Sequence, residues 1–182
     1  MKNYKLFIVL LGVLFLTACA TRLTQPQGPA LPPKVPFKAF ERVALYPITI
    51  SPDFADDGAN IDARDKMDGY LKELLSATFS NKEFVILEEG DTITPSDKRT
   101  LAISPRIKEI KYINTATRIF AGAMAGGTAS LMDVKFEDVS NNVVIGQPEF
   151  YADASAWSGW GADNKALNRV IEDINHYIRI NH

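Results

Sequence analysis

The one thiol in 182 residues belongs to Cys19, which ends an apolar run reading Leu6 to Leu16. A nucleophilic cysteine needs a neighbouring base, cation or helix terminus to lower its pKa, and this run supplies none. Other catalytic sets are equally thin. His176 and His182 are the only histidines, and neither a G-x-S-x-G elbow nor an H-E-x-x-H pair occurs. The 22 carboxylates leave glycan hydrolysis open, because two acids paired in space suffice for it. Chance proximity among so many acids makes their presence weak support. The sequence therefore reads as a non-enzyme that uses no cofactor.

Lys2 and Lys5 precede the apolar run, Gly12 interrupts it, and small residues follow, which is the layout of a secretory signal. About 20 apolar residues are needed to cross a bilayer, and this run is shorter. Leu16-Thr17-Ala18-Cys19 resembles the bacterial lipobox, cut between Ala18 and Cys19. That resemblance implies a covalent diacylglycerol on the Cys19 sulfur and an N-acyl chain on its amino group. Each buried methylene contributes about 0.8 kcal/mol, so several chains hold where one would exchange. Ala20 at the next position implies sorting to the outer membrane, with the domain facing the periplasm.

Losing residues 1–18 removes two lysines and no acid, so the formal charge falls from −2 to −4. With no Lys/Arg cluster in the remainder, nucleic acid is excluded as an expected partner. Expected partners are the membrane, through the anchor, and another envelope protein or peptidoglycan. The stretch Gly122-Ala-Met124-Ala-Gly126-Gly127 lacks the lysine of a phosphate-binding loop. Its small residues permit close backbone approach, so Gly122, Met124, Gly126 and Gly127 are candidate interface residues, and self-association is possible. Trp157 and Trp160, set among glycines, are further candidates, since tryptophan is enriched at hot spots; sugar stacking is their alternative. The acidic stretch from Ser51 to Asp65 fails as a calcium loop: with Asp53 at position one, position twelve is Arg64 where a bidentate Glu belongs. No metal site is expected.

The elements that must position these residues follow from periodicity. Five of the ten prolines lie between Pro26 and Pro36, where fixed φ and missing N–H groups oppose regular structure. Residues 19–40 thus read as a lipidated tether, with residues 20–40 reaching roughly 60 Å at 3.1 Å per residue, and 41–182 as a single domain. RVALYPITI reads as one central strand. A helix with Asp62 as N-cap carries Met67, Leu71 and Leu75, and EFVILEE is the next strand. LAISPRIKEIKYI continues extended, broken or bulged by Pro105. In the next strand Met132, Val134 and Phe136 alternate with Asp133, Lys135 and Glu137. VVIGQPEFYADASA returns, and Asp163 caps a final helix with Leu167, Val170, Ile171, Ile174 and Ile178 on one stripe. The expected class is α/β (α+β): a mixed sheet of about five strands, order β-α-β-β-β-β-α, with two helices packed on it.

This order, with the segment RIFAGAMAGGTASLMDVKFEDVSNNVVIG, resembles the bacterial envelope lipoproteins of a DUF4410-like family. Their fold looks similar to the amino-terminal domain of TolB and to LpoB-type lipoproteins. The resemblance implies an accessory role without catalytic residues, exercised by protein–protein contact. Where such proteins carry a Thr-Gly turn, this chain has Asn141-Asn142. The alternatives are a peptidoglycan- or glycan-binding module and a carboxylate-based glycan hydrolase.

Overall fold

The computed structural model describes residues 23–26, 28–113, 127–155 and 161–182. Among them a short 3-10 turn (Phe37–Ala39) precedes β1 (Arg42–Leu45), β2 (Thr49–Ile50), α1 (Pro52–Ala55), α2 (Gly58–Thr78) and β3 (Glu83–Ile86). Then come β4 (Thr100–Lys111), β5 (Thr128–Asp138), β6 (Val143–Gly146), β7 (Glu149–Ala154) and α3 (Ala162–Ile180). The sheet runs β3-β1-β4-β5-β6, with β2 also beside β4 and β7 also beside β5. The β1/β3, β1/β4 and β2/β4 pairs are parallel, and every pair made by β5 is antiparallel. The class is mixed α+β. Its seven strands occupy five positions, because β1 and β2 follow one another along β4, and β6 and β7 follow one another along β5.

Proline explains both divisions. The segment expected as one strand over 42–50 splits at Pro47, which has no N–H for a ladder; the chain rejoins β4 through Tyr46 N–H to the Ile103 carbonyl (2.9 Å) and Ser51 N–H to the Ile107 carbonyl (2.9 Å). The return strand splits likewise at Gln147-Pro148. Pro105 does not break β4, contrary to expectation. It faces Val134 in register, and Val134 gives its N–H to the Pro148 carbonyl on its other side (3.1 Å). The position of Pro105 that lacks a donor therefore faces the gap between β1 and β2, where no ladder partner waits. The bulge falls three residues later, between Ile107 and Glu109.

Helix α2 starts earlier than its apolar stripe suggests. Its N-cap is Asp57 rather than Asp62, with the Asp57 carboxylate accepting the Ala59 N–H at 2.8 Å. That contact accounts for one acid of the stretch tested above as a calcium loop. Asp57→Ala should lower stability by about 1 kcal/mol, read from the shift in urea midpoint; an unchanged midpoint would refute the cap. In α3 the N-cap is Gly161 at φ 81°, and Asp163, expected there, sits buried in the first turn.

One face of the sheet carries both long helices, which also pack on each other. Buried Met67, Leu71 and Leu75 of α2 and Val170, Ile171 and Ile174 of α3 meet Val43, Leu45, Ile103, Met132, Val134 and Phe136 in one cluster. The opposite face holds the alternate strand residues. There Arg42 donates from Nη1 to the Thr94 carbonyl (2.7 Å), fastening the β3–β4 connection over the sheet.

The proline-rich segment is not a free spacer along its whole length. From Leu31 it docks on the domain as a strap. Lys34 N–H reaches the Ile145 carbonyl (2.8 Å) and Phe37 N–H the Asn181 carbonyl (2.9 Å), while the Tyr177 hydroxyl donates to the Leu31 carbonyl (2.8 Å). Phe37 and Phe40 are fully buried, so the folded body begins before residue 41. A reach of 60 Å over residues 20–40 is correspondingly cut down.

Candidate functional site

Of the sequence candidates, Ala18, Cys19, Gly122, Met124, Gly126, Trp157 and Trp160 lie outside the described residues. Gly127 is described, half-buried, immediately before β5. The flanks of the two glycine-containing segments share one end of the sheet. Lys111 of β4 pairs with Ala129 of β5, and Thr128 pairs with Ala154 of β7. These pairs mark the upper end of the sheet.

Under the upper end lies a set of buried polar contacts. Asn60, at the start of α2, accepts the Tyr112 N–H through Oδ1 (3.2 Å) and donates from Nδ2 to the Phe54 carbonyl (3.3 Å). The Tyr112 hydroxyl donates to Asn164 Oδ1 (2.9 Å). Thr128 takes the Ile113 N–H at 3.0 Å and donates to Asp163 Oδ1 at 2.5 Å. Buried polar groups hold the fold to one arrangement when their hydrogen bonds are met. These contacts fix where β4 leaves and β5 re-enters.

Beside them opens a cleft of about 750 Å³, lined by Phe54, Ile110, Tyr112 and Ile113, with Asp53, Asp56, Asp57 and Glu109. Leu23 forms part of the same wall and is buried. The neighbouring Thr24 N–H donates to Glu109 Oε2 at 3.0 Å. The earliest described residues thus end at the upper end of the domain.

The second candidate surface is the sheet face away from the helices. Asp133, buried, accepts from Arg106 Nε at 3.0 Å and from Gln147 Nε2 at short range. Lys108 pairs closely with Glu149, and Lys135 with Glu137 at 2.8 Å. The bond from Glu149 raises the pKa of Lys108, so that ammonium stays charged. A cavity of about 320 Å³ lies where β2 meets β4, lined by Tyr46, Thr49, Ser104, Arg106, Lys135 and Gln147. Sequence alternation had put Asp133, Lys135 and Glu137 on one polar face. Arg106 and Gln147 gave no signal, because their partner lies 27 and 14 residues away.

At the lower end Tyr177 holds the strap. Burial pushes its phenol up to about 12, so it remains a hydrogen-bond donor at ordinary pH. Among the described residues no three His, Cys, Asp or Glu side chains gather as a metal would need, and no helix is long and apolar enough to cross a membrane.

No family model and no curated protein sequence matches the chain. Several solved structures are similar to it in fold. The PelC dodecamer from Paraburkholderia phytofirmans is 17% identical with a TM-score of 0.48, covering 84% of this chain and 94% of that one. A DUF330 protein from Xanthomonas campestris is 10% identical with a TM-score of 0.46, covering 84% and 94%. The lipoprotein GNA1162 from Neisseria meningitidis is 12% identical with a TM-score of 0.39, covering 74% and 98%. Bacterial lipoproteins are thus among the structures this fold resembles, and the likeness extends to the fold alone.

Proposed function

We propose that the chain is a lipid-anchored accessory protein of the bacterial envelope, related to the DUF4410-like lipoproteins. It works by contact with another envelope protein or with peptidoglycan, and it has no catalytic activity or cofactor of its own. Acyl chains on Cys19 hold it to the periplasmic side of the outer membrane. What supports contact over chemistry is the sheet face away from the helices. Its Arg106, Asp133, Lys108, Glu149, Lys135 and Glu137 side chains are engaged with one another. Groups committed in this way present a rigid polar surface, whereas a general acid or base must be open to a substrate proton.

Photo-crosslinking amino acids at Lys135 and Tyr151 in intact cells test the contact. Capture of a defined envelope component at these positions, and its absence with a probe at the strap residue Lys38, is the expected result. If neither probe captures anything while the protein co-floats with membranes, the contact reading on this face is wrong. Anchoring has its own check: Cys19→Ala should leave a folded protein that carbonate washing strips from membranes.

A second reading is favoured by the cavity at the meeting of β2 and β4. An aromatic ring (Tyr46), hydroxyls (Thr49, Ser104) and planar polar groups (Arg106, Gln147) together suit the hydroxyls and ring face of a sugar. In that case pull-down on purified sacculi falls sharply in Arg106→Ala. Retention that is indifferent to this change removes the sugar reading.

A further inference from the structure

We propose that the upper end of the domain, where β4 ends and β5 begins, is seated on the bilayer that holds the anchor; this rests on the reading of Cys19 as lipidated. The argument is one of chain length. Leu23 is buried at the upper end, and Thr24 is bonded there to Glu109. Leu23 is four Cα-to-Cα steps from Cys19, and an extended chain spans at most about 3.6 Å per step. The Cα of Cys19, which carries the anchor, therefore lies within about 14 Å of that of Leu23.

The body of the domain is much longer than that leash. At about 3.3 Å per residue, the twelve residues of β4 alone extend roughly 40 Å. The Asn141-Asn142 turn and the start of β4 lie at the far end of this length, since Asp138 pairs with Leu101 there. A leash of about 14 Å cannot stand the domain on that lower end while Leu23 stays docked; a domain lying on its side is told apart from the seating by a label at the lower end. The upper end is the part of the fold the bilayer meets.

Charge does not supply the seat. Four carboxylates, Asp53, Asp56, Asp57 and Glu109, border the cleft that holds Leu23 against one cation, Lys111, and the excess of carboxylates is repelled by an anionic leaflet. The covalent anchor and the docked Leu23 hold the orientation, so it survives high salt.

The test uses the full lipidated protein in vesicles of phosphatidylethanolamine and phosphatidylglycerol containing a headgroup-nitroxide lipid. Single cysteines carrying an environment-sensitive fluorophore are placed at Asp153 and at exposed Lys165 beside Asn164 (upper end), Asp97 (lower end) and Lys135 (open sheet face), none of which lines the cleft of Leu23. Labels at positions 153 and 165 should lose most of their emission, with and without high salt, and the label at 97 should emit as in water. Equal quenching at 97 overturns the seating. Strongest quenching at 135 also overturns it, in favour of a domain lying on its sheet face. Uptake of the label by Cys19 itself, seen by mass, shows a free thiol; that result defeats the lipidation reading and the seating together, and is distinct from a wrong orientation of an acylated chain.

Discussion

Phe37→Ala is expected to destabilise the fold by about 3–5 kcal/mol, the usual range for removing a fully buried aromatic ring. Phe37 lies in the proline-rich segment, where a free spacer would tolerate any side chain. In the structure its ring sits 4.8 Å from that of Phe136 and 6.1 Å from that of Tyr177, centroid to centroid. Its N–H also closes onto Asn181. Truncation would leave a void between β5 and α3 that the surrounding side chains fill only in part. Equilibrium urea unfolding gives the answer, with the exposed neighbour Lys38→Ala as control. A loss under about 1 kcal/mol would mean that the strap is not part of the cooperative unit, because a fully buried phenylalanine removed from a packed core costs several times that.

Arg99→Met is expected to cost about 3 kcal/mol near neutral pH, since it leaves a buried carboxylate without its cation. Asp138 has 2% side-chain exposure and accepts from Arg99 Nη2 at 2.7 Å and Nε at 3.1 Å. Asn141 Nδ2 donates to the same carboxylate at 2.7 Å. Burial alone pushes the Asp138 carboxyl up, but the bonds from Arg99 and Asn141 outweigh it and hold the group below 3.8. The sign follows from proton counting. Between its folded value and 3.8 the carboxyl is ionised when folded and protonated when unfolded, so stability is complete above that window and is lost as pH falls through it. Without Arg99 the burial effect dominates and the acid loss moves to higher pH. Urea midpoints followed from neutral pH downward should show an acid limb displaced upward in Arg99→Met. An acid limb that coincides with the parent's would show that the pair does not set it.

Much of the core could be read directly from side-chain period. Alternation at Met132, Val134 and Phe136 and the helical stripe ending at Ile178 both hold in the buried cluster. The mixed sheet with helices packed on it also follows from element order. What escaped were one local side-chain contact and several features decided by distant partners. The N-cap moved to Asp57 because one carboxylate meets one N–H, a contact that apolar spacing does not encode. Pro47 and Pro148 were visible as prolines, yet only the sheet shows that each divides a strand without ending its course along a neighbour. Phe37 looked like one apolar residue in a polar tract, and its burial depends on residues 99 to 144 positions away. The candidate surface was legible only in part. Alternation gave Asp133 and Lys135 their face, whereas the bonds from Arg106 and Gln147 required the register of β4 against β5 and the bend before β7.

The strap has a consequence for the order of events during synthesis. Its docking partners, Ile145, Tyr177 and Asn181, belong to the last quarter of the polypeptide. Contacts at such sequence separation form late, because the intervening chain must first be organised. A nascent chain that still lacks its carboxyl-terminal helix cannot close over its own beginning. The strap thus stays undocked until residues 145 to 181 have been made and folded.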